Sequence, residues 1–365
     1  MTIGILTQAL HGNYGGLLQN YALQQVLIQL GHNPITIDRH IHRNENPLKN
    51  LVKSILRLTR SKHDASLLSK SQRKKITKNQ IQFKIDNIIT TPPIITQSNF
   101  DKEVHSSKYD AFIVGSDQCW RPCYSANIGN YFLDFIENDK IIKIAYAPSF
   151  GVDNWEYNEE QTEMVKIAIS KFNAISVREK SAIDLCKTHL NIKAKWVLDP
   201  TMLLGAEGFR KFIKKDKSTG IVTYLLEETP SIENLIENVG HKIGESKITQ
   251  NLPSQVFKRF ESLKKHVSIS VESWIENIAN AKFVITDSFH GAVFSILFNK
   301  PFIVSLNGVR GNTRIESLLE DFDLKECIVS DFHNFLIPEY NWNKINDHLT
   351  IRREESLGFL KQALS

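Results

Sequence analysis

The chain has 365 residues, of which 41% are hydrophobic and 23% are charged, and its formal net charge is +5. These proportions match ordinary globular proteins and exclude a disordered or fibrous chain. The length predicts two domains, each able to bury its own core.

The N-terminus and the apolar runs bear on where the protein resides. The first residues lack the basic start, apolar stretch and small-residue cleavage site of a secretion signal. The longest apolar runs lie on either side of TDSFHG (286–291), whose polar residues prevent them from forming one membrane span. We therefore expect a cytoplasmic protein.

Strands and helices alternate in the first half of the chain. An apolar run at 3–7, a helix from about 16 to 30 and an apolar run at 34–38 predict a βαβ unit with parallel strands. Further strands are predicted at 110–117, 143–151, 174–179 and 195–200, and a further helix at 159–171. The alternation predicts an α/β, Rossmann-like domain over residues 1–205.

Asp199-Pro200 closes the predicted strand at 195–200, and we place the domain boundary after it, near 201–210. A second alternating set follows. Its predicted strands are 220–226, 281–288 and 301–306, and its predicted helices are 231–244, 272–280 and 290–299. We predict a Rossmann-like domain over 206–345 and a C-terminal helix over 346–365 that packs back across both domains. Two such domains with parallel sheets facing a cleft form a GT-B-like fold, in which ligands bind at the carboxyl ends of strands.

Residues 49–84 form a strongly basic segment with eleven Lys or Arg and one acidic residue, Asp64. Apolar residues near helical spacing predict a helical insertion in the first domain. The simplest interpretation is a solvated helix. The alternative is contact with an anionic membrane surface at the inner face, or with a lipid-pyrophosphate acceptor. Nucleic acid is not expected, because no binding motif or aromatic stacking pattern accompanies the charge.

The motif HGNYGG (11–16) precedes the first predicted helix. Its glycines permit a tight turn, and the following helix presents unpaired backbone N–H groups that suit an anion near Asn13, Gly15 and Gly16. The spacing differs from that of dinucleotide-binding loops, so no nucleotide cofactor is expected. No metal is expected either, because Cys119 and Cys123 lack a second Cys or His pair at zinc-ligand spacing.

Two charged residues follow apolar strands of the first domain. Asp117 follows one in GSDQCW (115–120), and Arg178 follows another in SVRE (176–179). Both are predicted at carboxyl ends of strands, where a cleft is expected. The alternatives are a turn cap for Asp117 and, for Arg178, a salt bridge to Glu179 or to a neighbouring acidic residue.

TDSFHG (286–291) places polar residues where an apolar strand becomes a helix, so each polar group needs a partner or a cleft. His290, beside Asp287 and Ser288, is suited to bind an anion or donate a proton there, and we favour this over a core histidine. Arg310 and Arg314 lie in a glycine-containing loop that opens a helix and suit phosphate or carboxylate, although a structural role stays open.

Together these runs resemble the polysaccharide pyruvyl transferase family. The similarity extends in order over NYGGLLQNYALQQVLIQLG (13–31), FIVGSDQCW (112–120), YFLDF (131–135), IAYAPSFG (144–151), ISVREKSA (175–182), VLDPTMLL (197–204) and the stretch from VESW to PFIV (271–304). The basic segment at 49–84 lies outside it.

The resemblance implies phosphoenolpyruvate as donor and co-substrate, with no cofactor, and a sugar diol as acceptor. The acceptor belongs to a capsule, exopolysaccharide or cell-wall repeat unit, linked to a lipid or a nucleotide, and the products are a cyclic ketal and phosphate. The resemblance also implies that Arg178 and His290 hold or protonate the donor. Many family members carry arginine two residues before that histidine, where this chain has Ser288, and Arg310 or Arg314 is the candidate replacement.

The donor carries a carboxylate and a phosphate, so its site needs two or more cations and a helix N-terminus. We expect the donor-binding residues to be Asn13, Gly15, Gly16, Arg178, Ser288, His290, Gly291, Arg310 and Arg314. We expect His290 to act as the acid and Asp117 or Asp287 as the base. Tyr14 and Trp120 are candidate acceptor-binding residues.

Two other functions fit the same architecture. A glycosyltransferase of GT-B fold would use a nucleotide sugar at the same helix N-termini. A non-catalytic member would bind sugar or phosphate without turnover, which the serine at position 288 makes conceivable.

Overall fold

The computed structural model describes residues 1–40, 62–64, 70–125, 127–214, 217–227, 229–253, 256–258, 267–306 and 312–365. Half of the basic segment at 49–84 (residues 49–61 and 65–69), and Arg310, lie outside the described residues.

The first domain is built on a parallel sheet whose six described strands run in the order β2-β1-β4-β5-β6-β7. The strands of this half of the chain are β1 (Thr2–Leu6), β2 (Asn33–Thr36), β3 (Lys62–Asp64, outside this sheet), β4 (Ala111–Val114), β5 (Ile142–Ala145), β6 (Ala174–Val177) and β7 (Lys195–Trp196). The helices are α1 (Tyr14–Gln29), α2 (Lys70–Ile76), α3 (Lys78–Asn87), α4 (Gln97–Glu103), α5 (Glu159–Ile169), α6 (Ser181–Leu190) and α7 (Pro200–Leu204). The central strand β4 is apolar throughout because helices cover both faces of a parallel sheet.

The second domain contains a parallel sheet whose five described strands run in the order β13-β12-β11-β8-β9. The strands of this half are β8 (Gly220–Tyr224), β9 (Ile248–Gln250), β10 (Val256–Lys258, paired with β3), β11 (Ala281–Thr286), β12 (Phe302–Ser305) and β13 (Ile328–Val329). The helices are α8 (Pro230–Ile243), α9 (Val271–Ala279), α10 (Phe289–Leu297), α11 (Thr313–Asp321) and α12 (Trp342–Ala363). Two doubly wound parallel sheets facing each other confirm the predicted GT-B-like α/β fold.

The two domains share one apolar core. Leu17 of α1 and Met202 of α7 belong to the same buried cluster as Trp274 of α9 and Phe294 of α10. The polar site described below lies at the edge of this shared core, so its geometry depends on how the domains pack.

The C-terminal helix α12 contacts both domains. Ser356 Oγ accepts the backbone N–H of Leu198 at 3.0 Å in the first domain. Arg352 Nε donates to Asp321 Oδ2 at 3.0 Å in the second domain. No helix in the described ranges is both long and apolar enough to cross a bilayer.

The helix α3, at the C-terminal end of the basic segment, is partly buried. Phe83 of α3 is buried, and Lys84 donates to Asp38 at 2.6 Å. Asn79 Nδ2 donates to the carbonyl of Ser268 at 2.7 Å. The prediction of a solvated insertion is therefore wrong for the side of α3 that carries Phe83, which joins the core, whereas Ile85 of the same helix is exposed.

Candidate functional site

The candidate site lies where the carboxyl ends of strands in the first domain meet the helix N-termini of the second. Asp117, Arg178 and Asp199 come shortly after β4, β6 and β7, respectively. His290 lies in the first turn of α10 and Arg314 in the first turn of α11. Residues far apart in the sequence are thus brought to one edge of a shared core.

Arg178 is a buried cation held between two carboxylates. Its Nη1 donates to Asp199 Oδ2 at 3.0 Å and its Nη2 to Asp117 Oδ1 at 3.4 Å. The guanidinium lies over the ring of Phe289, 4.6 Å from its centroid. Burial opposes the charged form, but the charges of Asp199 and Asp117 outweigh it and raise the pKa of Arg178. Its Nε has no hydrogen-bond partner within the described residues, so one donor remains for a ligand.

Asp199 joins this network, and the sequence analysis missed it. Its Oδ1 accepts from the backbone N–H of Thr201 at 3.0 Å and from the Thr201 hydroxyl at 2.7 Å. Burial alone would raise the pKa of Asp199, but His290, and then Arg178, hold it well below its usual range. Asp199 is therefore an ionised carboxylate that fixes Arg178. The Asp-Pro sequence was interpreted only as the end of a strand before the domain boundary, although Asp199 caps α7 by accepting from Thr201.

His290 faces the same carboxylate from the other domain. Its Nε2 lies 3.7 Å from Asp199 Oδ2, an ion-pair distance beyond hydrogen-bond range. This nitrogen is buried and has no hydrogen-bond partner in the described part of the chain. The ring packs directly on Gly15, where a Cβ would collide with it. Gly15 is therefore needed for close approach of the two domains.

Asp117 lies at the turn that leaves β4, with a left-handed φ of 71°. Its Oδ1 accepts the backbone N–H of Gln118 at 2.9 Å. Its Oδ2 faces Gly16, where an added Cβ would come to an ordinary contact distance of 3.5 Å. Asp117 thus lies between Arg178 and the start of α1. Asn13 caps that helix by accepting the N–H of Gly15 at 3.0 Å.

Arg314 supplies a second guanidinium to the site. Burial, followed by the nearby cation of Arg178, lowers the pKa of Arg314 to about 10. Its Nε is buried without a hydrogen-bond partner among the described residues. Two cations close enough to repel each other favour binding of an anion between them.

Glu179 is buried beside the two arginines, and burial raises the pKa of its carboxyl group. Its Oε1 accepts from Ser149 Oγ at 2.8 Å and from the N–H of Phe150 at 3.0 Å. The predicted salt bridge from Arg178 goes to Asp117 and Asp199, while Glu179 holds the loop after β5.

Asp287, one of the two candidate bases, has both carboxylate oxygens engaged in hydrogen bonds to the backbone. Its two carboxylate oxygens accept the backbone N–H groups of Leu226 at 2.7 Å and Glu227 at 3.0 Å. Because both oxygens bind the loop after β8, Asp287 positions that loop. Ser288 caps α10 without a side-chain capping bond, and Gly291 lies so close to Thr286 that a Cβ would collide.

Tyr14 and Trp120 are core residues, and their assignment to the acceptor is wrong. Tyr14 stacks on Trp274 with ring centroids 5.6 Å apart, and its hydroxyl donates to the carbonyl of Ile269 at 3.0 Å. Trp120 stacks on Phe132 and donates to the carbonyl of Tyr131 at 2.9 Å. Both side chains are fully buried, so a sugar cannot contact them in this conformation.

A family model described as polysaccharide pyruvyl transferase matches residues 13–307 of the chain. A search of curated proteins found no match.

Several solved structures are similar in chain architecture. The UDP co-structure of MnaA from S. aureus has 10% identity and a TM-score of 0.49, covering 98% of this chain and 89% of that one. A UDP-GlcNAc 2-epimerase from Neisseria meningitidis bound to UDP-GlcNAc has 12% identity and a TM-score of 0.47, covering 100% and 94%. The E. coli heptosyltransferase WaaC with ADP has 12% identity and a TM-score of 0.42, covering 96% and 100%.

Proposed function

The chain belongs to the polysaccharide pyruvyl transferase family, and on that premise we propose that it transfers pyruvate from phosphoenolpyruvate to a sugar diol of a cell-surface polysaccharide precursor. The products are a cyclic pyruvate ketal and phosphate. The observation that carries this proposal is the convergence of Arg178, Arg314 and His290 from two domains on one buried site.

Donor binding follows from the charges of the site. Phosphoenolpyruvate carries a carboxylate and a phosphate, and guanidinium groups are suited to both. The free Nε of Arg178, the free Nε of Arg314 and the N-terminus of α10 offer donors to these groups. Arg314 would supply the charge that other family members gain from an arginine at the position of Ser288.

Ketal formation requires a proton donor and a proton acceptor. His290, which lies opposite the ionised Asp199, would give a proton to the donor methylene, which becomes a methyl group and leaves an oxocarbenium-like C2. One sugar hydroxyl attacks C2 and a second displaces phosphate. Asp117 is the candidate base that takes up a hydroxyl proton. One of the two hydroxyl protons replaces the one given by His290, and the other leaves with phosphate.

The acceptor sugar is proposed to be presented on a lipid or a nucleotide carrier. A lipid carrier would bring the protein to an anionic membrane surface, where the basic residues of 49–84 would contribute to binding.

The test is product formation from alternative donors. Purified protein is incubated with sugar acceptors and either phosphoenolpyruvate or a nucleotide sugar, while phosphate release and the mass of the acceptor are followed. With phosphoenolpyruvate, we expect phosphate release and an increase in the mass of the acceptor that corresponds to one pyruvate ketal. Both signals should be lost in His290→Ala and retained in the exposed control Arg210→Ala. Turnover with the nucleotide sugar alone would instead identify a glycosyltransferase. Saturable binding of the donor, with no conversion of any acceptor tested, would identify a non-catalytic member.

A further inference from the structure

A second polar cavity lies in the first domain, away from the donor site. Its volume is about 580 Å³, and its lining includes Arg39, Thr96, Gln97, Ser125, Asn127 and Gln161. None of these side chains belongs to the set assigned to the donor. The volume is within the range of small-molecule sites, about 300–1,000 Å³.

Arg39 is the one cation among the described residues that line this cavity. It follows β2 and is only 3% exposed. Its Nη2 donates to Gln97 Oε1 at 3.1 Å, whereas Nε and Nη1 have no partner within the described residues. The adjacent carboxylate of Asp38 is bound by Lys84 at 2.6 Å and by His40 at 3.1 Å, so it does not neutralise Arg39.

A buried guanidinium with unused donors is unfavourable until an acceptor binds it. Burial lowers the pKa of Arg39, against the weaker effects of Tyr131 and Asp101. Asp101 itself accepts from Gln97 Nε2 at 2.7 Å. A guanidinium nevertheless stays protonated in proteins, so Arg39 keeps its charge. Its Nε and Nη1 are donors for an incoming anion.

The polar side chains of the remaining lining suit a hydroxylated ligand, and Ile95, Pro122 and Ile128 complete the lining with apolar surface. Side-chain amides come from Gln97, Asn127 and Gln161, and hydroxyls come from Thr96 and Ser125. Asn127 Nδ2 donates to Gln97 Oε1 at 3.2 Å, so two of the amides are already oriented. Amides and hydroxyls around a single cation match a sugar that carries one anionic group.

The cavity opens at the same edge of the sheet as the donor site. Arg39 follows β2, and Ser125 and Asn127 lie in the loop that begins at Asp117 after β4. The strands β2 and β4 flank β1, so their carboxyl ends are near neighbours. A chain of sugars that reaches Asp117 can continue along this edge toward Arg39.

We propose that this cavity binds an anionic sugar unit of the acceptor, with its carboxylate or phosphate on Arg39. The place of this unit in the reaction rests on the proposed pyruvyl transfer, whereas its binding does not. Glucuronate and glucose 6-phosphate distinguish the two sources of negative charge, and glucose is the neutral reference.

The test measures binding of these three probes to the full chain by ligand-observed NMR titration. We expect at least one anionic probe to bind about tenfold or more tightly than glucose, because a charge-assisted hydrogen bond is lost with the neutral sugar. Arg39→Gln should abolish that preference. Gln161→Glu places a negative charge at the cavity and keeps the capping box with Asn158, so it should weaken the anionic probe severalfold without loss of folding.

The exposed substitution Gln362→Glu adds the same charge far along α12 and should leave binding unchanged. Equal binding of an anionic probe by wild type, Arg39→Gln and Gln161→Glu would overturn the proposal, as would failure of both anionic probes to bind. Phosphoenolpyruvate binding is measured on the same samples. If wild type binds the anionic sugars but does not bind phosphoenolpyruvate, the donor assignment alone is refuted.

Discussion

The two domains contribute differently to the candidate site. On the first domain, Asp117, Arg178 and Asp199 form a connected network in which the charges are matched by opposite charges. On the second domain, His290 and Arg314 each present a buried nitrogen that has no hydrogen-bond partner in the described residues. The cation of the first domain is thus fixed by two carboxylates before a ligand arrives and keeps one unused donor, Arg178 Nε, whereas the donors of the second domain have no hydrogen-bond partner to hold them.

The largest expected effect follows from removing the charge of Asp199. Asp199→Asn keeps the size of the side chain but leaves Arg178 with one ionic partner. Breaking a buried ion pair costs about 3–5 kcal/mol, and we expect a fall of that order in the free energy of unfolding by urea, with loss of turnover. The exposed Asp153→Asn is the matched control and should be unchanged. Equal stability of the two variants would show that the network on the first domain is not preorganised.

The pH dependence of stability tests whether Asp199 is ionised in the folded state. The pKa of Asp199 is depressed in the folded state, so its stabilising effect is present above the unfolded value of about 3.9 and is lost as pH falls below it. The stability difference between wild type and Asp199→Asn should therefore be constant from pH 7 to about pH 5 and shrink below about pH 4. Urea unfolding over this range measures it. A difference that already closes above about pH 5 would contradict a depressed pKa.

Contact between the domains is tested at Gly15. Gly15→Ala places a methyl group in the His290 ring, whereas Gly16→Ala makes an ordinary contact with Asp117. Displacement of a reacting group by about 1 Å can cost about 100-fold in rate, and we expect a loss of that order in kcat/KM for Gly15→Ala. Gly16→Ala should remain within a few-fold of wild type. Equal activity of the two variants would show that His290 need not lie against α1.

A smaller effect is expected at Tyr14, whose hydroxyl binds the carbonyl of Ile269 in the core. Tyr14→Phe removes one hydrogen bond and should lower the free energy of unfolding by about 1 kcal/mol. It should leave the KM for the acceptor unchanged, because the side chain is buried. An increase in that KM with unaltered stability would restore Tyr14 as an acceptor-binding residue.

Sequence patterns were sufficient where local periodicity determines structure. Apolar runs and their polar ends located the strands, so Asp117, Arg178 and His290 were correctly placed at the edges of the two sheets. Tyr14 is buried against Trp274 of the second domain, and Trp120 is buried against Phe132. A local motif does not reveal these packing partners.

Two further features could not be predicted for the same reason. Gly15 was interpreted as part of an anion-binding turn, but its lack of a side chain allows contact with His290 of the other domain. Asp199 was interpreted only as the end of a strand. Its role in the site could not be predicted, because its partners Arg178 and His290 come from other parts of the chain.

The central claim is that the donor binds between the ordered cation of the first domain and the unsatisfied cation of the second. Calorimetric titration of phosphoenolpyruvate into wild type and Arg314→Ala tests it most directly, with Arg210→Ala as the exposed control. We predict saturable binding that weakens about tenfold or more in Arg314→Ala, since charge-assisted hydrogen bonds are lost, and is unchanged in the control. Equal affinity in wild type and Arg314→Ala, or no binding by wild type, would contradict the account.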